Sequence, residues 1–254
     1  DAITYARKAR AGYSVYTPEE LLADNAFNNI GAKEWMWGAD ITPETSTAFA
    51  SFFSFMCSYD AGYGGDVGQY RKIDARLYDS MNPTDVRKKL FKHTSTGVQY
   101  TPQEAAFPEY TNIKFKKVAN WEADYVYMRV SEMILTEAEA LAHKGDYTGA
   151  AQVLKELMSQ RDPSWKANSV TADDVYQQRR LELWGEGFSL FDHLRLKKGI
   201  DRNYEGSNHL SSARYTIDAG SWYFLYQLPL RELDNSDAID ASEQNPAPTE
   251  SKFK

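Results

Sequence analysis

RVSEMILTEAEALAHKGDYTGAAQVLKELMSQR, residues Arg129 to Arg161, is the stretch whose pattern decides the fold. Val130, Met133, Ile134, Ala138, Leu141 and Ala142 recur at spacings of three and four, which gathers apolar groups on one face of a helix. Tyr147, Ala150, Ala151, Leu154, Leu157 and Met158 repeat the pattern. Between the two stripes, Gly145 is able to take the left-handed conformation that ends a helix, and Asp146 offers a side-chain oxygen to cap the next. The spacing predicts two antiparallel helices joined by a turn of about two residues. Ala138, Ala142, Ala150 and Ala151 fall where the stripes face each other, and side chains this small let the backbones approach closely.

Such a hairpin is the unit of a tetratricopeptide-type repeat, and KGDYTGA (144–150) resembles the turn of one. One hairpin cannot bury both of its faces, so neighbours must pack on it. Upstream, residues 1–10 read as a helix with Ala2, Ala6 and Ala9 on one face. Thr17-Pro18-Glu19-Glu20 is a helix start, with a capping threonine and proline at the first helical position. Downstream, Thr171 is the expected cap of a helix running through Gln178-Arg179-Arg180-Leu181-Glu182, with Asp174 at its third position and Val170 stapled to Val175. Gly185 and Gly187 break that helix, and Phe188, Phe191 and Leu194 open a short one carrying Asp192 and Arg195. Charges set so closely among large apolar residues predict partly buried ion pairs.

The remaining segments read less sharply. Lys33 to Gly38 alternates like a strand, which would put Trp35 and Trp37 on the same side. Asn82-Pro83-Thr84-Asp85 is a second helix start, followed by Arg87, Lys88 and Lys89 as a solvated cationic face. Residues 94–111 read as a long connection, and Ile113 to Val118 as a short strand. Trp222 to Pro229 is one apolar segment before a polar, Pro-rich end.

Composition narrows the function classes. The 254 residues carry a net charge of −7 with both signs interspersed and no basic stripe, which argues against nucleic acid as a partner. Aromatic residues make up 14 % of the chain, including 17 tyrosines and 6 tryptophans, a surplus over what a helical core needs and one expected on a surface or in a groove. The lone Cys57 cannot form an internal disulfide or a cysteine metal site, and in FFSFMCSY it reads as a buried small hydrophobe. His93, His143, His193 and His209 have no short metal-ligand spacing, so neither a metal nor a cofactor is expected. There is no HExxH, no GxSxG and no Gly-rich phosphate loop, so no catalytic residue is assigned.

Residues 42–69 are rich in Ser, Thr, Phe, Tyr and Gly and end in SYDAGYGGD (58–66) without a helix or strand period, the pattern of an exposed loop. Tyrosine rings on such a loop present flat faces edged by hydroxyls, and sugar rings dock on such faces through their C–H groups. Tyr59, Tyr63 and Tyr70 carry such rings in or beside this stretch, whereas Trp35 and Trp37 read first as core tryptophans. Asp60 and Asp66 are positioned to accept hydrogen bonds from sugar hydroxyls, or serve simply as turn residues. The rival reading folds these tyrosines back onto the core.

Several segments together resemble the SusD/RagB family of outer-membrane nutrient-binding lipoproteins of Bacteroidetes. Arg129 to Leu135 with Glu137-Ala138-Glu139-Ala140 is similar to the family's R-x-x-E-x-x-L-x-x-A-E-A segment. Arg179-Arg180 with Glu182-Leu183 and Glu186-Gly187 resembles its E-R-R-x-E-L-x-x-E-G signature, and Phe191 to Arg195 its F-D-L-R-R continuation. Leu228-Pro229 with Glu232, and Gln244-Asn245-Pro246, are similar to its closing P-I-P-x-x-E and Q-N-P. Gln178, Ser189 and Ala247 depart from the pattern, which touches local ion pairs and not the assignment. The signature residues are expected to be scaffold, and the resemblance implies that ligand contacts lie on aromatic loops outside the repeat helices, a description that fits Tyr59, Tyr63 and Tyr70 best, with Trp35 and Trp37 as weaker candidates that are alternatively core.

The resemblance implies that residues 1–254 form a single SusD-like domain, the C-terminal portion of a longer chain lipid-anchored at the cell surface through an N-terminal part absent here. It implies a non-catalytic protein that captures oligosaccharides and passes them to a SusC-like TonB-dependent outer-membrane transporter. A peptide-binding, RagB-like member is the alternative within the family. A helical glycoside hydrolase is the alternative outside it, and would need two carboxylates with divergent pKa values.

Overall fold

The computed structural model describes residues 1–47, 51–59, 63–116 and 121–246, with the Tyr63 side chain also outside the described set. The chain divides into two compact units, Asp1–Glu186 and Gly187–Lys254. The fold is mainly α with a few short strands, as the periodicity predicts.

The first unit contains α1 (Ala2–Ala9), α2 (Pro18–Leu21), β1 (Trp35–Ala39), α3 (Phe52–Met56), α4 (Tyr63–Asp66), α5 (Ala75–Asp79) and α6 (Pro102–Ala106). After these come β2 (Tyr125–Arg129), α7 (Val130–His143), α8 (Tyr147–Arg161) and α9 (Ala172–Glu182). The hairpin forms as the sequence dictates. Gly145 sits at φ +83°, and the Asp146 carboxylate accepts from the Gly149 N–H at 2.8 Å. Ala138, Ala142, Ala150 and Ala151 are all buried, so α7 and α8 meet along their small residues. α1 and α9 cover α7 on its other sides. Of the three alanines on α1 only Ala6 is buried. That helix is held instead by charge, because Arg7 and Arg10 both donate to the buried carboxylate of Glu137, at 2.7 and 2.8 Å. Thr17 and Thr171 each close a capping box, with Glu20 and Asp174.

The second layer of packing lies around the strands and is aromatic. Phe27, Phe53, Phe91, Phe115, Tyr16 and Tyr78 are buried within one apolar cluster, so much of the aromatic surplus expected at the surface is core. Cys57 is buried there too. Edge-to-face contacts link Phe115 to Phe27 at 6.0 Å and to Phe52 at 5.0 Å, the geometry that aromatic quadrupoles favour.

β1 and β2 pair antiparallel, and the ladder corrects one expectation. Trp35 faces Arg129 and Trp37 faces Met128, while Gly38 faces Val126. Met36 is therefore the extra residue of one irregularity and Tyr127 of the next. An inserted residue breaks the period of two. Trp35 is 5 % exposed, with its indole N–H on the Ala26 carbonyl at 3.0 Å, whereas Trp37 is 63 % exposed, so the two do not share a side.

Other segments also differ from their sequence reading. Residues 42–69 hold α3 and α4 rather than an unbroken loop, and residues 94–111 hold α6, capped by Thr101. Asp85 caps a 3-10 helix, Val86–Leu90, and not an α-helix. Ile113 to Lys116 form no strand, and residues 117 and 118 lie outside the described set. Only Thr111 and Asn112 make single bridges there, to Lys72 and Phe91. Arg87, expected on a solvated face, is buried.

The second unit comprises α10 (Ser189–Arg195), the two-residue strands β3 (Ile200–Asp201) and β4 (Thr216–Ile217), and α11 (Leu230–Asn235). Its two closing motifs bind each other. The Gln244 side chain accepts from the Leu228 N–H at 2.8 Å and donates to the Leu228 carbonyl at 3.0 Å, and Asn245 donates to the Tyr226 carbonyl at 2.7 Å. The Gln244 side chain thereby pairs both backbone polar groups of Leu228, which lies in neither a helix nor a strand.

Candidate functional site

The charged signature residues converge in the interior of the first unit. Arg129 donates from Nε to Glu186 at 2.8 Å, from Nη1 to Glu34 and to Glu182 at 2.8 Å each, and from Nη2 to the Glu182 carbonyl at 2.6 Å. Arg161 donates to both carboxylate oxygens of Glu182 at 3.0 Å and to the Tyr16 carbonyl at 2.8 Å. Lys114 reaches Glu186 at 2.5 Å. Arg87 pairs with Asp85 at 2.7 Å and donates to Gln178 at 2.7 Å, so the glutamine that departs from the family pattern accepts where a glutamate would. The cations Arg87, Lys114, Arg129 and Arg161 are thus balanced by Glu34, Asp85, Glu182 and Glu186. Burial alone would raise the Glu182 carboxyl, yet the guanidinium charges of Arg161 and Arg129 hold it well below the usual carboxylate range. Paired and sealed from water, these carboxylates have no access to a substrate, and they act as scaffold. Among the described residues, no group of His, Cys, Asp and Glu is arranged to hold a metal ion.

The candidate ligand residues separate into two places. Tyr59 donates its hydroxyl to Glu104 at 2.6 Å, and its ring meets Phe107 edge to face at 5.5 Å. Burial, with the Glu104 carboxylate next, pushes the Tyr59 phenol up, so it stays a proton donor to Glu104. Tyr70 leans on the same Phe107 at 5.3 Å and is half-buried, and Asp66 is exposed at the end of α4. Asp60 and the Tyr63 side chain lie outside the described residues. Tyr59 and Tyr70 therefore share Phe107 as a common support, and the Tyr59 hydroxyl proton is already committed.

Trp35 is corrected from ligand candidate to core residue, because its ring is packed away beneath the sheet. Trp37 stands on the outer face beside Tyr127, ring centroids 5.1 Å apart at 66°. Tyr127 is 48 % exposed and was not singled out from the sequence. Its signal is faint: in YVYM (125–128) two tyrosines alternate immediately before the buried Arg129, and only the second faces outward.

Comparison with known proteins completes the description. A structure described as a SusD-like carbohydrate binding protein from Bacteroides vulgatus superposes with a TM-score of 0.73 at 25 % identity, covering 98 % of this chain and 57 % of that one. A SusD superfamily protein from Bacteroides thetaiotaomicron gives 0.70 at 24 %, covering 96 % and 56 %. Surface glycan-binding protein A from Bacteroides uniformis shares the fold, with 0.62 at 19 %, covering 96 % and 55 %. The chain thus spans little more than half the length of these relatives. A comparison with curated proteins finds no match. The SusD family model matches residues 6–247, nearly the whole chain, and on that match the protein belongs to the SusD family.

Proposed function

We propose that the protein is a non-catalytic glycan-binding component of an outer-membrane uptake system, one that captures oligosaccharides at the cell surface and passes them to a SusC-like TonB-dependent transporter. The observation that carries this reading is the family match over residues 6–247, joined to the 25 % identity with a relative described as carbohydrate binding. The interior supports it. The buried carboxylates of Glu182 and Glu186 are neutralised by buried cations, which leaves them unsuited to acid–base work. No helix among the described residues is long and apolar enough to cross a membrane. The aromatic segment from Tyr59 to Tyr70, with Tyr63, Asp60 and Asp66, is proposed as one ligand contact.

Affinity electrophoresis of the full-length protein through gels containing individual polysaccharides tests this reading. Retardation by at least one is expected, without release of reducing sugar. Free migration through all of them, together with retention on immobilised peptides, would replace it with the peptide-binding alternative.

A further inference from the structure

The β1–β2 ribbon carries an aromatic pair that its own regularity would have hidden. With an unbroken period of two, Trp37 would follow Trp35 into the core. The extra residue Met36 turns Trp37 outward, and the extra residue Tyr127 brings a second ring beside it. Irregularities of this kind re-aim side chains, and they gather next to functional sites. Exposing a tryptophan forfeits the burial that its large apolar surface would gain, so two ladder faults that deliver one to solvent call for a compensating role.

The ribbon beneath the pair is held at both ends. On one side the buried Arg129 pairs with Glu34 at 2.8 Å, and the Val130 N–H donates to the Glu34 carbonyl at 3.0 Å. On the other, the two oxygens of Asp124 accept from the Ile30 and Ile41 N–H groups, at 2.7 and 2.8 Å, pinning the chain before and after β1. Gly38 allows the strand to lie close, since a Cβ there would stand 2.7 Å from the Tyr125 carbonyl oxygen and 3.0 Å from the Trp35 ring. Locked supports of this kind keep a recognition surface in one geometry.

We propose that Trp37 and Tyr127 form a binding platform for neutral pyranose rings, a deepening that rests on the glycan-binding reading above. The rings stand at a steep angle, so together they present a corner instead of one flat wall. A pyranose packs its C–H face on one ring and its edge against the other. Among the described residues, neither the Trp37 indole N–H nor the Tyr127 hydroxyl has a hydrogen-bond partner, and both remain for sugar hydroxyls. The two strands themselves are uncharged: residues 35–39 and 125–128 carry no ionisable acid or base besides tyrosine, which suits a neutral sugar better than a uronate or a sulfated one.

Titration calorimetry of the full chain with maltohexaose, cellohexaose, xylohexaose, mannohexaose and hexagalacturonate tests the platform, alongside Trp37→Ala, Tyr127→Ala, Trp37→Phe and, as a control, Tyr5→Ala. Trp37→Ala and Tyr127→Ala should each weaken binding of a neutral hexasaccharide at least tenfold, with the melting temperature lowered only by what loss of their mutual ring contact costs, since Trp37 is 63 % and Tyr127 48 % exposed. Trp37→Phe should stay within about threefold by keeping a ring face, and Tyr5→Ala should match wild type. If wild type binds a neutral hexasaccharide and the alanine variants bind it equally well, the platform is overturned while the glycan-binding reading stands. Binding of hexagalacturonate alone overturns the neutral class, and silence toward every sugar overturns both readings.

Discussion

Arg129 and Glu182 lie 53 residues apart in sequence and meet at 2.8 Å with both side chains buried. The pair joins the end of β2 to the end of α9 and is the centre of the charged interior. Removing one member leaves the buried network with one uncompensated charge away from water. Arg129→Met and Glu182→Gln are each expected to cost about 3–5 kcal/mol. Urea unfolding of both single variants and of the double variant checks this, and the double variant should lose less than the two singles added together.

Acid should weaken the same interior. Against the cost of burial, Arg161 and Arg129 hold the Glu182 carboxyl low, and Arg129 and Lys114 do the same for Glu186. A folded-state pKa below the unfolded one means the stabilisation is complete above the unfolded value, about 4.3 for glutamate, and is lost as pH falls through the folded value. The melting temperature should therefore be level from pH 7 to 5 and fall steadily below about pH 4. A level profile down to pH 3 would contradict the assignment of these carboxylates as charged and paired.

Two glycines at positive φ separate backbone strain from crowding. Gly145, at φ +83°, has open space where a Cβ would stand, so Gly145→Ala should cost about 1–2 kcal/mol from conformation alone. Gly185, at φ +78°, has the Phe115 ring 2.7 Å and the Met56 methyl 2.9 Å from that position. Gly185→Ala adds overpacking of about 1–3 kcal/mol to the same backbone cost. Thermal melts of the two variants should rank in that order.

Tyr59→Phe removes the hydroxyl that donates to Glu104 and leaves the ring on Phe107. A stability loss of about 0.5–1.5 kcal/mol is expected, with sugar affinity within threefold of wild type. A large affinity loss at unchanged stability would make Tyr59 a direct ligand contact instead of a support.

The hairpin and the caps were legible because their information is local. Gly145, Asp146, Thr17 and Thr171 act within three or four residues of themselves, and every one is found where its sequence pattern puts it. The Thr101-Pro102-Gln103-Glu104 start was equally legible in form, since it repeats the Thr17 pattern, but it lay in a stretch that Pro and Gly made read as connection. Arg87 was misplaced because its partners Gln178 and Glu182 lie more than ninety positions away, and a run of three basic residues looks solvated when its neighbours are unknown. Trp37 was placed on the wrong side because an extra residue in a ladder leaves no mark in a five-residue alternation. The aromatic count was read as surface because nothing in the sequence says that Phe27, Phe52, Phe53 and Phe115 pack edge to face in one cluster. The 59–70 segment remains an expectation for ligand contact, resting on residue type.

Glu34 has a consequence in time. It is complete only when Arg129, 95 residues later, is in place. At about 5–20 residues per second of synthesis, that interval is roughly 5–20 s. Throughout it, the carboxylate that the finished protein keeps dry is far more stable in water, so the ribbon strand bearing Trp35 and Trp37 has no favourable way to bury itself early. Burial of this carboxylate in the nascent chain is thus expected only after Arg129 and the start of the helical hairpin have emerged.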